Sequence, residues 1–171
     1  MGGAINAPGN ANQTAEFNFW FDPEAAQIVL RSEIPRKVMF ALDVCNTAKV
    51  TRAMFDEVVA VKTPVTELYR KDFGERYPAF LKNPAAAGFL WDELAAAYVI
   101  DPSIATASDT KYLDVVSEFG PNYGRVVALN RELAPGATPV EVVTAVDLAR
   151  VFAIYRSALT RSSASKVGTL P

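Results

Sequence analysis

Val38-Met39-Phe40-Ala41-Leu42 is an unbroken apolar run that stops at Asp43. A strand with one wet face alternates apolar and polar residues. A run without alternation is buried on both faces, as strands are in a parallel sheet covered by helices. Parallel neighbours need long crossover connections, usually helical. The run therefore puts the chain in the α/β class, and it puts Asp43 at the carboxyl edge, where open α/β sheets take their ligands.

The sequence around the run supplies the covering elements. Asp22 can cap a helix with Pro23 in its first position, and Ala25, Ala26, Ile28 and Val29 give that helix an apolar face. Arg31 and Ser32 end it, and Ile34-Pro35 forces an extended exit. Helices are predicted over 51–59 and from Thr63-Pro64 onward. Residues 92–100, DELAAAYVI, are apolar almost all round and read as a helix buried on most sides. Residues 112–119 and 125–129 form a predicted hairpin across Gly120-Pro121-Asn122-Tyr123-Gly124, and 140–146 a further strand. Leu148, Val151, Phe152, Tyr155 and Leu159 make a helical stripe after Asp147. Residues 1–21 read as loop, 77–84 as less regular, and 162–171 as a frayed tail after one domain over 1–161.

Composition excludes several chemistries. The 171 residues include no His, which removes any imidazole base or His-ligated metal; oxygen-ligated cations stay open. A net charge of -2 gives no basic field for nucleic acid. No stretch of about 18 apolar residues is present to span a membrane. The lone Cys45 excludes an intrachain disulfide and points to a reducing compartment, so a cytoplasmic location is expected. With no basic partner near it in sequence, Cys45 is not expected to be a nucleophile.

Two segments carry chemistry. Between Asn10 and Leu30, the polar residues Asn10, Glu16 and Asn18 interleave with Phe17, Phe19, Trp20 and Phe21. Amide and carboxylate groups held among apolar rings suit a pocket for a polyhydroxylated ligand. The plainer alternative is a polar loop entering a helix, with the rings in the core. In the second segment, Trp91-Asp92-Glu93-Leu94-Ala95, Asp92 opens a helix. Its carboxylate is either that helix's N-cap or an oxygen ligand for a hard cation. Trp91 is either a core aromatic or a stacking surface.

Met1-Gly2-Gly3-Ala4, Gly9-Asn10, Glu16-Phe17-Asn18 and Asp22-Pro23-Glu24-Ala25-Ala26 occur in order and at matching spacing. This pattern resembles the inosine-uridine preferring nucleoside hydrolase family, and it covers the chain essentially end to end. The resemblance implies the C-terminal portion of a mostly parallel open sheet flanked by helices, with an added β hairpin. It implies hydrolysis of a ribonucleoside to ribose and base with calcium. By the same resemblance Asn10 and Glu16 would hold the 5′-hydroxyl and Asn18 the 3′-hydroxyl. Met1 would line the ribose pocket, and Phe17 stands where purine-preferring members often carry Trp. Asp92 would ligate calcium and contact the ribose hydroxyls, and Trp91 would stack on the base as the catalytic aromatic. The Trp-Asp-Glu form resembles the purine-preferring branch. Family members usually form homodimers or homotetramers.

The family's Asp-x-Asp-x-Gly-x-Asp-Asp motif is absent, and every Asp here is isolated. One carboxylate cannot assemble a calcium site of six to eight oxygens, and no base is left to activate water. The resemblance therefore implies about half of an enzyme, inactive alone and missing an N-terminal half. The alternatives are a non-catalytic nucleoside-binding remnant and a subunit completed by a partner chain. A half sheet would leave Val38, Phe40, Leu94 and Val99 under-covered and the chain prone to associate.

Overall fold

A computed structural model describes residues 1–76, 78, 82–83, 88–131 and 136–161. The chain divides into two compact units, Met1–Ala48 with Trp91–Asp147, and Lys49–Leu90 with Leu148–Pro171.

The first unit is a sheet with helices. Helix α1 spans Phe17–Phe21 and α2 spans Pro23–Arg31. Strand β1 (Val38–Met39) leads into the short helix α3 (Leu42–Cys45). Asp22 caps α2 as expected: its carboxylate accepts from Ala25 N at 2.9 Å. Later in the unit come α6 (Asp92–Ile100), a 3-10 turn (Pro102–Ile104), β4 (Ala105–Val115), β5 (Val126–Leu129) and β6 (Pro139–Val146). The strand order is β1-β6-β4-β5. β1 pairs with β6 in parallel, Val38 opposite Glu141, while β6–β4 and β4–β5 are antiparallel. The α/β class and the hairpin stand, in a sheet that is mixed, but the first hairpin strand is Ala105–Val115 where 112–119 was expected, because its first half pairs with β6.

Leu30, Met39, Ala41, Leu113, Val115, Val126, Val140 and Val142 form the buried cluster, with Ile5, Phe19 and Ala26 packed against it. α2 rests on the sheet through Leu30 and Ala26, whereas Ala25, Ile28 and Val29, expected on its covered face, are exposed; the segments around Ile5 and Phe19 rest on the same core. Lys37 fixes the exit from α2. Its ammonium donates to Ser32 O and Thr138 Oγ1, and burial pulls its pKa below the usual lysine value.

The second unit contains the antiparallel pair β2 (Lys49–Val50) and β3 (Gly88–Phe89), with α4 (Arg52–Ala60), α5 (Pro64–Arg76) and α7 (Leu148–Thr160). Thr51 caps α4 through Met54 N. Thr63 and Thr66 exchange hydroxyl-to-amide bonds at the start of α5, a reciprocal capping arrangement. Phe55, Tyr69, Phe73 and Tyr155 pack ring on ring at centroid distances of 5.3 to 5.9 Å.

Four further expectations are corrected. Residues 17–21 are helical where loop was expected, because Glu16 supplies an N-cap that composition does not advertise. The run 38–42 is a strand only over Val38–Met39. Beyond it, Phe40 O accepts from Gly2 N and Leu42 N donates to Gly3 O, so the backbone pairs with the Gly2-Gly3 segment and then turns into α3. α6 occupies 92–100 as expected but is buried on one side only, through Leu94, Ala97 and Tyr98; Val99 is 83% exposed. Phe40 and Leu94 are fully covered, contrary to the expected deficit, while Val38 is half-buried. The expected frayed tail at 162–171 lies outside the described residues, as does most of 77–84.

Gly3 is a tight joint of this unit. It has φ +77°, and an added Cβ would lie 2.4 Å from Met39 Cε and 2.9 Å from Val126 Cγ2. Gly3→Ala is expected to lower stability by about 2 kcal/mol or more, through backbone strain and overpacking together. Urea unfolding followed by circular dichroism checks this; an unchanged midpoint would contradict the geometry.

Candidate functional site

The site is built around one buried carboxylate. Glu16 is 2% exposed. Its Oε2 accepts from Gly3 N at 2.8 Å and from Phe19 N at 3.3 Å, and its Oε1 accepts from Asn18 N at 2.9 Å. The same side chain therefore caps α1 and fastens the glycine segment thirteen residues earlier. Charge-assisted bonds of this kind are worth roughly 1.5–3 kcal/mol each, and leaving such donors buried without a partner costs a similar amount.

The groups around Glu16 divide into committed and available. Asn10 Oδ1 accepts from Phe17 N at 2.8 Å, which leaves its Nδ2 as a donor facing solvent. Asn18 Nδ2 donates to Met1 O at 3.4 Å and to Met1 Sδ at 3.5 Å, which leaves its Oδ1 as an acceptor. Asn12 shapes the intervening turn: its Oδ1 accepts from Thr14 N and Ala15 N at 2.8 and 2.7 Å. Phe17 is half-exposed and lies 6.3 and 5.7 Å, ring centroid to centroid, from Trp20 and Phe21. Met1, Asn10, Glu16, Phe17 and Asn18 are thus one cluster, with open amide groups over a fixed carboxylate.

A second line of contacts joins this cluster to Trp91 and Asp92. Gly2 N donates to Phe40 O, and Cys45 Sγ, fully buried, lies 3.6 Å from Phe40 O and 4.0 Å from Trp91 O. Burial pushes the Cys45 thiol up to about 12; the chain N-terminus pulls it back somewhat, while Asp92, Glu16 and Asp43 add to the rise. These three carboxylates share one neighbourhood. Trp91 is half-buried and occupies the N-cap position of α6 without a capping side-chain bond. Asp92, one residue later, is exposed and caps nothing. The capping alternative for Asp92 is therefore not what the structure contains.

Asp43 was marked in sequence only by its place at the end of the apolar run. Its Oδ2 accepts from Ile5 N at 2.9 Å and its Oδ1 from Asn6 N at 2.8 Å. No sequence signal pairs positions 37 and 38 residues apart, so this clasp appears only in three dimensions.

The donor set does not fit calcium. Among the described residues, no three His, Cys, Asp or Glu side chains are grouped so as to hold a metal ion. Glu16 and Asp43 are occupied by backbone N–H groups, which leaves Asp92 as a single open carboxylate. A hard cation that wants six to eight oxygens is not satisfied by these residues.

The model for the family described as "Inosine-uridine preferring nucleoside hydrolase" matches residues 1–153. The chain belongs to the inosine-uridine preferring nucleoside hydrolase family. The Escherichia coli pyrimidine-specific ribonucleoside hydrolase RihB is 34% identical over 128 residues, which is 74% of this chain and 40% of that protein. Among solved nucleoside hydrolases, the purine-preferring ribonucleoside hydrolase from Gardnerella vaginalis superposes with a TM-score of 0.74 at 26% identity, over 94% of this chain and 50% of that one. An inosine-guanosine nucleoside hydrolase matches the fold with a TM-score of 0.83 at 23% identity, covering 95% and 51%. The chain therefore spans about half the length of the nucleoside hydrolases it matches.

Two outcomes test this geometry. Glu16→Ala removes three acceptor contacts at once and is expected to destabilise the chain by about 3 kcal/mol, with Glu16→Gln recovering only part because an amide NH2 cannot accept. Calorimetric melting of the two variants decides it; a Gln variant as stable as wild type would contradict the role of the second oxygen. Cys45 keeps its proton in the fold up to about pH 12, while an unfolded thiol releases it near 8.5. Its contribution to stability is therefore full below about pH 8.5 and is lost as pH rises from there. Iodoacetamide at pH 8 should alkylate the unfolded chain far faster than the native one. Equal rates would refute the burial.

Proposed function

We propose that the chain is the sugar- and base-binding portion of a ribonucleoside N-ribohydrolase, an enzyme that converts a nucleoside and water to ribose and free base. The observation that carries this reading is the cluster of Asn10, Glu16 and Asn18, in which a buried carboxylate holds the backbone at Gly3, Asn18 and Phe19 while the two amide side chains, tied to Phe17 N and Met1, keep an open donor and an open acceptor. Asn10 Nδ2 and Asn18 Oδ1 offer the complementary groups that neighbouring sugar hydroxyls require. Glu16 keeps at most one lone pair on Oε1 for a hydroxyl and serves mainly to hold the amides still. Met1 and Phe17 provide apolar walls. Fixed polar groups of this kind add to rate when they grip an oxocarbenium-like sugar better than the ground state.

Trp91 takes the base. An indole face attracts a cation, so a protonated base stacked on it departs more readily as a neutral leaving group. The Trp91-Asp92-Glu93 segment and the purine-preferring structural relative support a purine nucleoside; the curated relative named for pyrimidines supports the opposite preference. We favour purines, because a bicyclic base covers more of an indole. A calcium ion would need Asp92 together with donors beyond those found here, so no step is assigned to it. A cytoplasmic location and self-association belong to the same proposal; the free thiol of Cys45 favours a reducing compartment. No described helix is long and apolar enough to cross a membrane.

A subunit completed by another chain is the second reading. It is favoured by β1, which lies at the end of the sheet order with β6 on one side only.

Incubation of the purified chain with inosine or uridine, with and without calcium, tests the proposal. Isothermal titration should show binding of both nucleosides, inosine the tighter, while a reducing-sugar assay shows no ribose release by the chain alone. Trp91→Ala should weaken inosine and leave free ribose unaffected. Failure to bind either nucleoside would defeat the reading, and chelator-sensitive turnover would defeat the assignment of incompleteness.

A further inference from the structure

The Met1–Asn10 segment has no regular secondary structure, yet it carries one end of the proposed sugar site at Met1 and the other at Asn10. Something other than a helix or a ladder must hold it in one conformation. Its backbone donors go to two carboxylates and three carbonyls, with Gly9 N and Asn10 N closing a local turn on Gln13 O and Ala15 O at 3.1 Å each. Gly2 N donates to Phe40 O, Gly3 N to Glu16, and Ile5 N and Asn6 N to the two oxygens of Asp43 at 2.9 and 2.8 Å. Asp43 itself is fixed, because it sits in the first turn of α3 between the buried Leu42 and Val44. Two successive N–H groups converging on one carboxylate form a clasp that a single neutral acceptor cannot reproduce.

We propose that Asp43 is a positioning residue for the sugar site: it touches no ligand but sets the conformation of the segment that presents Met1 and Asn10. This rests on the nucleoside reading above and adds a residue to it that no ligand-facing pattern marks. The clasp lies midway between two ends that are each tied locally, so loosening it lets the Met1 end and the Asn10 turn shift relative to one another while the core stays closed; Ile5 remains packed on the sheet cluster through its side chain. Preorganisation of a loop raises affinity by removing the ordering cost at binding. The ordering cost falls on sugar contacts and leaves the base contact at Trp91 untouched.

Asp43→Asn in the 171-residue chain tests this, because an amide keeps the shape but can accept only one of the two N–H groups. Amide exchange by NMR should speed up at Ile5 or Asn6. Inosine affinity should fall about tenfold while hypoxanthine affinity stays within about twofold of wild type. Asp43→Ser, with one oxygen on a shorter arm, carries the same expectation if the Asn variant does not fold. Wild-type inosine affinity in a variant whose Ile5 and Asn6 amides exchange faster would overturn the positioning role, as would equal loss for inosine and hypoxanthine. A wild-type chain that binds neither ligand would overturn the nucleoside reading itself, and the role of Asp43 with it.

Discussion

The carboxylate of Glu16 is the joint on which the first unit turns. It joins two pieces of chain that have little reason to stay together otherwise: a glycine-rich start and a five-residue helix that carries the aromatic Phe19 against the core. A helix this short has almost no intrinsic stability, since nucleation fixes several dihedrals for one or two bonds. It persists because a charged acceptor satisfies two of its first N–H groups at a place already excluded from water. Burial of a carboxylate is costly in itself and is tolerated here because three backbone donors replace its hydration.

That joint also explains how an exposed site can be well defined. Asn10, Phe17 and Asn18 are open to solvent, yet none hangs on a free loop. Asn10 is tied to the amide of Phe17, Asn18 to Met1, and both ties converge on the helix end that Glu16 caps. The rigid groups lie beneath the surface and the adaptable ones above it, the ordering expected where binding energy must not be spent on arranging the protein.

Much of this was legible in sequence, and the divide is physical. Elements written by local patterns were read closely: the Asp22-Pro23 start of α2, Thr51 before α4, the strand at 140–146 and the helix after Asp147. The motif spacing placed the chain in its family and grouped Asn10, Glu16 and Asn18. Features set by distant partners were missed. The run 38–42 has strand composition throughout, but Gly2 and Gly3 claim its second half. The apolar circumference of α6 suggested burial on most sides, whereas only Leu94, Ala97 and Tyr98 are buried. Asp43 resembles any acidic residue after a strand until Ile5 and Asn6 are seen beside it.

The parallel pairing of β1 with β6 has a consequence for the order of events in folding. Val38 and Met39 meet Glu141 and Val142 across about a hundred residues of intervening chain, and the second unit's segment 49–90 lies within that interval. Loop closure of that length is entropically expensive and rewards nothing until β6 arrives. During synthesis, the segment that carries Met1, Asn10 and Glu16 leaves the ribosome before β6, with its supporting sheet still unmade. The cluster around Glu16 is thus made before β6 and is held in place only after β6 has arrived.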